Sequence, residues 1–283
     1  MFIYQCDVPL NLPDMRIGSY LSKALPLLPE SVIREALKKR DVKADGVRMS
    51  ADETAPRGKH ICLYTGYAIS LDVIWRSEHI TVINKPAGLS CDTDAYGGQT
   101  LSEVLPICLE NGDRLRAVHR LDNRTCGLLI LAEDDETEAV LTQAIAERRG
   151  IIKQYTCIVK GEMRPPAAIK EAWLVKNAAA AKVRIISHNT PGSKPICTEY
   201  RTLKTDGSIS RLEITLHTGR THQIRAHMAS LGHPVLGDDL YGDRNFNKTG
   251  TGRLMLCASR LCFDNGFADA DLRGKEIVID PPF

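Results

Sequence analysis

Four stretches of the chain join reactive side chains to turn-forming residues: NKPAGL (84–89), HRLDNRTCGLL (119–129), KQY (153–155) and HTGRTHQIRAHMASLGHPVLGDDLYG (217–242). The last holds His217, His222, His227 and His233, which raise the question of a metal. His222 and His227 are five apart, so they stand about 140° apart around a helix. A zinc-binding helix spaces its two histidines four apart, and no metal is expected here. A serine nucleophile would sit in a G-x-S-x-G elbow, and nucleotide chemistry would need a GxGxxG or GxxxxGK[ST] loop; the chain has none of these. Asp122, followed by Asn-Arg-Thr, is open to two readings, a turn or cap former or a reactive carboxylate. Arg225 and Tyr155 are equally open as a surface cation and a strand tyrosine. His222 and Arg225, three apart, would share one face of a helix.

These residues need elements to hold them. HITVINK and GLLILA are apolar strand-like runs on either side of the HRLD stretch, and DDETEAVLTQAIAERRG opens with acids and closes with Arg148, Arg149 and Gly150, as a helix does. YTCIVKG, AKVRIIS, TEYRTL and SRLEITLH alternate like half-buried strands. THQIRAHMASLG reads as a helix stopped by Gly232, and LMLCASRLCF as a late strand. Strands outnumber helices and connections are short, which predicts an α+β fold around a largely antiparallel mixed sheet. Ahead of it, IGSYLSKALPLL and the segment after Pro29 read as two short helices, and Val42, the Asp45-Gly46 turn and HICLY as strands. The expected division is a small unit over 1–66, a linker over 67–75 and a larger domain over 76–283.

Composition narrows the classes. The apolar share of 43% and charged share of 25% are ordinary for a globular protein. No apolar run approaches the roughly 20 residues of a spanning helix, and the first residues lack the pattern of an export signal. Nine scattered cysteines without a CxxC pair suit a reducing compartment. The expected location is the cytoplasm. A net charge of +2 does not announce a nucleic-acid binder. However, Arg34, Lys38, Lys39, Arg40, Lys43 and Arg48 crowd one short segment, either as a solvated helix face or as a phosphate-binding patch.

Taken together, the four stretches resemble the RluA family of RNA pseudouridine synthases. The family's nucleophile signature, H-R-L-D then two residues and T-S-G-L-L, stands here as HRLDNRTCGLL; its later signature stands as GRTHQIRAHM followed by GHPVLGDDLYG. NKPAGL and KQYTCIVKG fall in the family's order, and HRLD points away from the sister RsuA family, which carries G-R-L-D. Two positions depart from the pattern: Cys126 replaces a serine and Cys257 replaces a histidine. The front segment resembles the small alpha-L RNA-binding domain of a ribosomal protein, although Asp41 and GKHICLY differ from its usual pattern.

The resemblance implies isomerisation of uridine to pseudouridine in structured RNA, ribosomal or transfer, without cofactor, by a protein expected to be a monomer. It implies Asp122 as the catalytic carboxylate, Tyr155 as the residue that stacks on the uracil, and Ile224 as the opposite wall of the base slot. Desolvation in a base-sized pocket pushes a carboxyl group toward its neutral form and a nearby cation opposes this; the family's arginine, here Arg225, is expected to pair with Asp122. Arg120 is expected to follow the flipped base or hold its phosphate, with His119 and Thr125 shaping the floor of the site. Arg34, Lys38, Lys39, Arg40 and Lys43 would touch RNA. One rival is an RNA-binding assembly factor of the same fold that has lost catalysis. Another is a hydrolase, a class that normally needs paired carboxylates, whereas HRLDNRTCGLL offers only Asp122.

Overall fold

The computed structural model describes residues 1–92, 96–177, 182–248, 252–267 and 272–283. The chain opens with strand β1 (Phe2–Asp7), helices α1 (Ile17–Ala24) and α2 (Glu30–Lys38), and strands β2 (Val42–Ala44), β3 (Val47–Arg48) and β4 (His60–Thr65). These strands pair in the order β1-β4-β2-β3. Tyr4 and Cys6 alternate inward on β1, and Ile17, Tyr20, Leu21 and Ala24 form the buried stripe of α1. The sequence reading bounded this unit at 1–66 but assigned no strand ahead of its first helix; the FIYQCD alternation that makes β1 spans only two inward residues, too short to register without its partner β4.

The larger part begins with β5 (Asp72–Arg76), β6 (Ile80–Lys85) and α3 (Leu101–Cys108), then β7 (Arg116–Ala117), β8 (Cys126–Ala132) and α4 (Asp135–Glu147). It continues with β9 (Ile151–Lys160), β10 (Ala167–Asn177), β11 (Lys182–Ile186), β12 (Lys194–Thr205), β13 (Ile209–Leu216), α5 (Gln223–Ser230), α6 (Arg244–Asn247), β14 (Leu256–Phe263) and β15 (Glu276–Val278). The main sheet runs β11-β10-β12-β13-β9-β14-β8-β6-β5, with β15 on β14 and β7 on β8. Its pairings are antiparallel except for β8 with β14. The stretch read as a linker therefore contributes an edge strand: β5 is largely exposed, so burial leaves little apolar pattern in it.

The parallel junction of β8 and β14 lies beside the candidate site. Cys126 stands opposite Cys257 and Gly127 opposite Ala258. Gly127 has φ +118, and a Cβ there would lie 2.3 Å from the carbonyl oxygen of Ala258. Only glycine lets the two backbones approach this closely. The core is continuous across both parts of the chain, joining Tyr4, Tyr20 and Leu63 to Leu129, Tyr155 and Ile224. Among the described residues, no helix is long and apolar enough to cross a membrane.

Candidate active site

Asp122 lies in the turn between β7 and β8, and its position is set by backbone and side-chain ties rather than by regular structure. The Thr125 amide donates to the Asp122 carbonyl at 3.0 Å, and Thr125 is itself buried. The next residue, Asn123, clasps the NKPAGL loop: its side-chain amide donates to the Gly88 carbonyl at 2.7 Å and to Ser90 Oγ at 2.8 Å. The Gly88 amide returns a bond to the Asn123 carbonyl at 2.8 Å. Lys85, fully buried at the end of β6, donates from Nζ to the carbonyls of Leu89 (2.7 Å), Pro86 (2.9 Å) and Asn123 (3.3 Å). Burial pulls the Lys85 ammonium down to about 8. NKPAGL is thus a brace for the Asp122 turn, a role that sequence reasoning did not assign.

A cavity of about 500 Å³ opens over this turn. His119, Arg120, Asp122, Thr125, Tyr155, Ile224 and Arg225 all line it, so the structure brings together every catalytic and substrate-binding residue expected from sequence. Tyr155 comes from β9 and Ile224 from α5, both almost fully buried. Burial, and then the neighbouring charge of Asp122, raise the Tyr155 phenol above its usual range, so the ring enters the cavity as a neutral face.

Arg225 differs from expectation in its partners. Its Nη1 stands 4.0 Å from Asp122 Oδ2, but its short bonds go elsewhere: Nε to Asp238 Oδ2 at 2.7 Å and Nη2 to Asp238 Oδ1 at 2.8 Å. A third contact joins Nη2 to Asp239 Oδ1 at 3.3 Å. The guanidinium also lies over the Tyr241 ring, 5.5 Å from its centre. Burial acts to raise the Asp238 carboxyl, and the Arg225 fork overrides it to hold Asp238 below its ordinary value. Asp238 is the main omission of sequence reasoning; it lay in the GDDLYG stretch, but nothing local shows which acid faces Arg225.

His222, expected inside the helix, caps it instead, with φ 53 in the left-handed region. Such a conformation in a non-glycine residue stores strain and clusters at functional sites. Its Nε2 lies 3.9 Å from Asp122 Oδ2 and its Nδ1 pairs with the Tyr241 hydroxyl at 3.0 Å. Burial lowers the His222 imidazole, with Asp122 only partly opposing, so the ring faces Asp122 uncharged at neutral pH. His119 is also neutral: burial, aided by the charge of Lys153, takes it down to about 3. Its Nε2 accepts from the Ile130 amide at 3.2 Å, while its Nδ1 is sealed from solvent. Arg120 stands at the exposed rim, where Nη1 meets Asp92 Oδ2 at 2.5 Å. Behind the turn, the Cys126 thiol, hydrogen-bonded to Cys257, is pulled down to about 7.

The basic residues of the front segment lie apart from this cavity. Arg34 and Lys38 are exposed on α2, with Lys39 and Arg40 exposed just after it. Lys39 pairs with Glu35 at 2.6 Å, and the Lys43 ammonium sits over the Tyr64 ring, 5.0 Å from its centre.

A family model described as RNA pseudouridylate synthase matches residues 79–230. The span contains Asp122, Tyr155 and Arg225 and covers more than half of the chain. The chain belongs to the RNA pseudouridylate synthase family. Within it, the HRLD and GRTHQIR signatures place this synthase in the RluA branch. It is 31% identical over 275 residues to ribosomal large subunit pseudouridine synthase C of Escherichia coli (strain K12), covering 88% of this chain and 84% of that one. It is 28% identical over 284 residues to the Vibrio cholerae protein of the same name, covering 91% and 87%. Among solved structures, human RNA pseudouridylate synthase domain containing 1 superposes with a TM-score of 0.63 at 26% identity, covering 78% of this chain and 87% of that one. The synthase is accordingly an isomerase that converts uridine to pseudouridine in RNA.

Proposed function

We propose that this synthase modifies uridine in ribosomal RNA, with Asp122 as the catalytic carboxylate. The observation that carries the assignment is the placement of Asp122 in a base-sized cavity, opposite the buried Tyr155 ring and beside the Arg225 guanidinium at 4.0 Å. The choice of ribosomal over transfer RNA follows the relatives named ribosomal large subunit pseudouridine synthase C, which match nearly the whole chain.

A uridine must leave its stack to enter the cavity, at a cost of roughly a few kcal/mol, least in a single-stranded loop. Tyr155 receives one face of the ring and Ile224 the other, while Arg120 at the rim holds the flanking backbone. Asp122 acts on the ribose, by bonding C1′ or by removing the C2′ proton, as the C1′–N1 bond breaks. The freed uracil turns, C5 bonds to C1′, and the C5 proton is lost. Arg225 supplies positive charge and orientation beside Asp122, and Asp238 fixes that arginine. Residues 1–66 act as a separate RNA contact through Arg34, Lys38, Lys39, Arg40 and Lys43. The protein works as a monomer in the cytoplasm, where ribosomal RNA is processed.

The assignment is tested by incubating the protein with ribosomal RNA from a host lacking its gene and mapping pseudouridines chemically. Wild type introduces pseudouridine at defined positions and Asp122→Asn introduces none. Equal rates for the two proteins would refute the role of Asp122, and RNA binding without isomerisation by wild type would favour a silent assembly factor.

A further inference from the structure

Lys153 has no part in the reaction as described above, yet it stands in the wall of the same cavity. Side chains alternate along a strand, so Ile151, Lys153 and Tyr155 share one face of β9, and all three line the cavity. Several neighbours are apolar: Leu261 is its cross-strand partner on β14, and Val118, Ile145 and Leu216 line the same cavity. Among the described residues, no hydrogen bond or ion pair engages its ammonium, and its charge acts on the neutral His119. Burial lowers Lys153 from the ordinary lysine value.

An ammonium in an apolar wall without a counter-charge is costly to keep. Its presence in the cavity that holds a reactive carboxylate suggests that the missing partner arrives with the substrate. Arg120 stands at the exposed rim, whereas Lys153 is two strand positions from Tyr155, about 7 Å along β9. A lysine side chain spans that distance. We propose that Lys153 is a further catalytic residue, whose ammonium faces the ring oxygens of the target uracil and stabilises the negative charge the ring carries once the C1′–N1 bond has broken.

This proposal rests on the isomerisation itself. When C1′–N1 breaks, the electron pair leaves with N1, and the resulting uracil anion spreads its charge over O2 and O4. Asp122 takes up the sugar side of the event, by a bond to C1′ or by accepting the C2′ proton. Lys153 neither gives nor takes a proton; it donates hydrogen bonds that are stronger to the anion than to the neutral base. Binding of this kind speeds the reaction because it grows with the charge that develops in the transition state.

The test compares wild type, Lys153→Met and Lys153→Arg as full chains. The substrate is an in vitro transcript of ribosomal RNA carrying a uridine that wild type modifies. Lys153→Met is expected to slow single-turnover pseudouridine formation by about 100- to 1000-fold, the loss typical of a removed oxyanion donor, with the RNA dissociation constant within about twofold of wild type. Lys153→Arg is expected to recover at least about a tenth of the wild-type rate, since it restores the cation. Melting temperature guards against misfolding: Lys153→Met is expected to melt no lower than wild type, and Lys153→Gln serves if Met disturbs the wall. An unchanged rate would overturn the proposal, and so would a loss confined to RNA affinity, which would make Lys153 a phosphate anchor. Wild type that binds RNA without forming pseudouridine would overturn the functional assignment as well, whereas active wild type with an equally active Lys153→Met would overturn this proposal alone.

Discussion

Asp238 grips Arg225 through both carboxylate oxygens, at 2.7 and 2.8 Å, while Asp122 stands 4.0 Å from the third nitrogen of the same guanidinium. The arginine is thereby divided between a permanent partner and the reactive carboxylate. Removing the charge of Asp238 leaves Arg225 buried with its fork unmatched, and breaking a buried pair in this way costs about 3 kcal/mol or more. Asp238→Asn is expected to lower stability by that order in urea unfolding. Its pseudouridine-forming rate should fall at least tenfold with RNA affinity near wild type, because Arg225 is then free to turn away from its position beside Asp122.

Gly127 provides a second, purely steric test. With φ +118 and the Ala258 backbone 2.3 Å from any added Cβ, Gly127→Ala must push β8 from β14. We expect a loss of about 3 kcal/mol or more and little activity, measured by thermal unfolding and by the isomerisation assay. Wild-type stability in this variant would mean that the parallel pairing is looser than described.

His119 gives a pH signature. Its folded value of about 3 lies well below the roughly 6.5 of an unfolded histidine. Between those two values the unfolded chain binds a proton that the folded chain refuses, so stability is lost as pH falls through that window. The term amounts to about 2 kcal/mol between pH 6.5 and 4.5. His119→Gln keeps an acceptor for the Ile130 amide and removes the titration. The difference in urea midpoint between wild type and variant should therefore shift in favour of the variant on acidification.

The basic front segment makes an electrostatic prediction. Arg34, Lys38, Lys39 and Arg40 are exposed, and each one that meets a phosphate adds about 0.7 to 0.9 to the slope of log affinity against log salt. Replacing all four by Gln should weaken RNA binding at low salt and flatten that slope, leaving the single-turnover rate at saturation unchanged. Substitution is a better probe than deletion of residues 1–66, because Tyr4, Tyr20 and Leu63 share a continuous core with Leu129 and Tyr155, and deletion would expose it.

What could be read in the sequence follows how local each feature is. Asp122, Tyr155, Ile224 and Arg225 sit in short stretches whose residue order is itself the signal, and the structure gathers them in one cavity. The strongly alternating β12 and β13 were legible because a half-buried strand writes its burial into every second residue. The bracing of the Asp122 turn by Lys85, the choice of Asp238 over Asp239 as the arginine's fork, and the left-handed His222 were not legible. Each depends on which distant segment packs alongside. The same holds for β5, whose exposed edge position leaves no pattern to read.

Among the described residues, the one parallel junction of the main sheet brings Cys126 beside Cys257. The strand leaving the Asp122 turn pairs on one side with the preceding β6 but gains its other neighbour, β14, only from a segment far later in the chain. Contacts of such long range form late in folding. A nascent synthase therefore keeps its catalytic floor open on one side until β14 has been made and has closed beside the strand that follows Asp122.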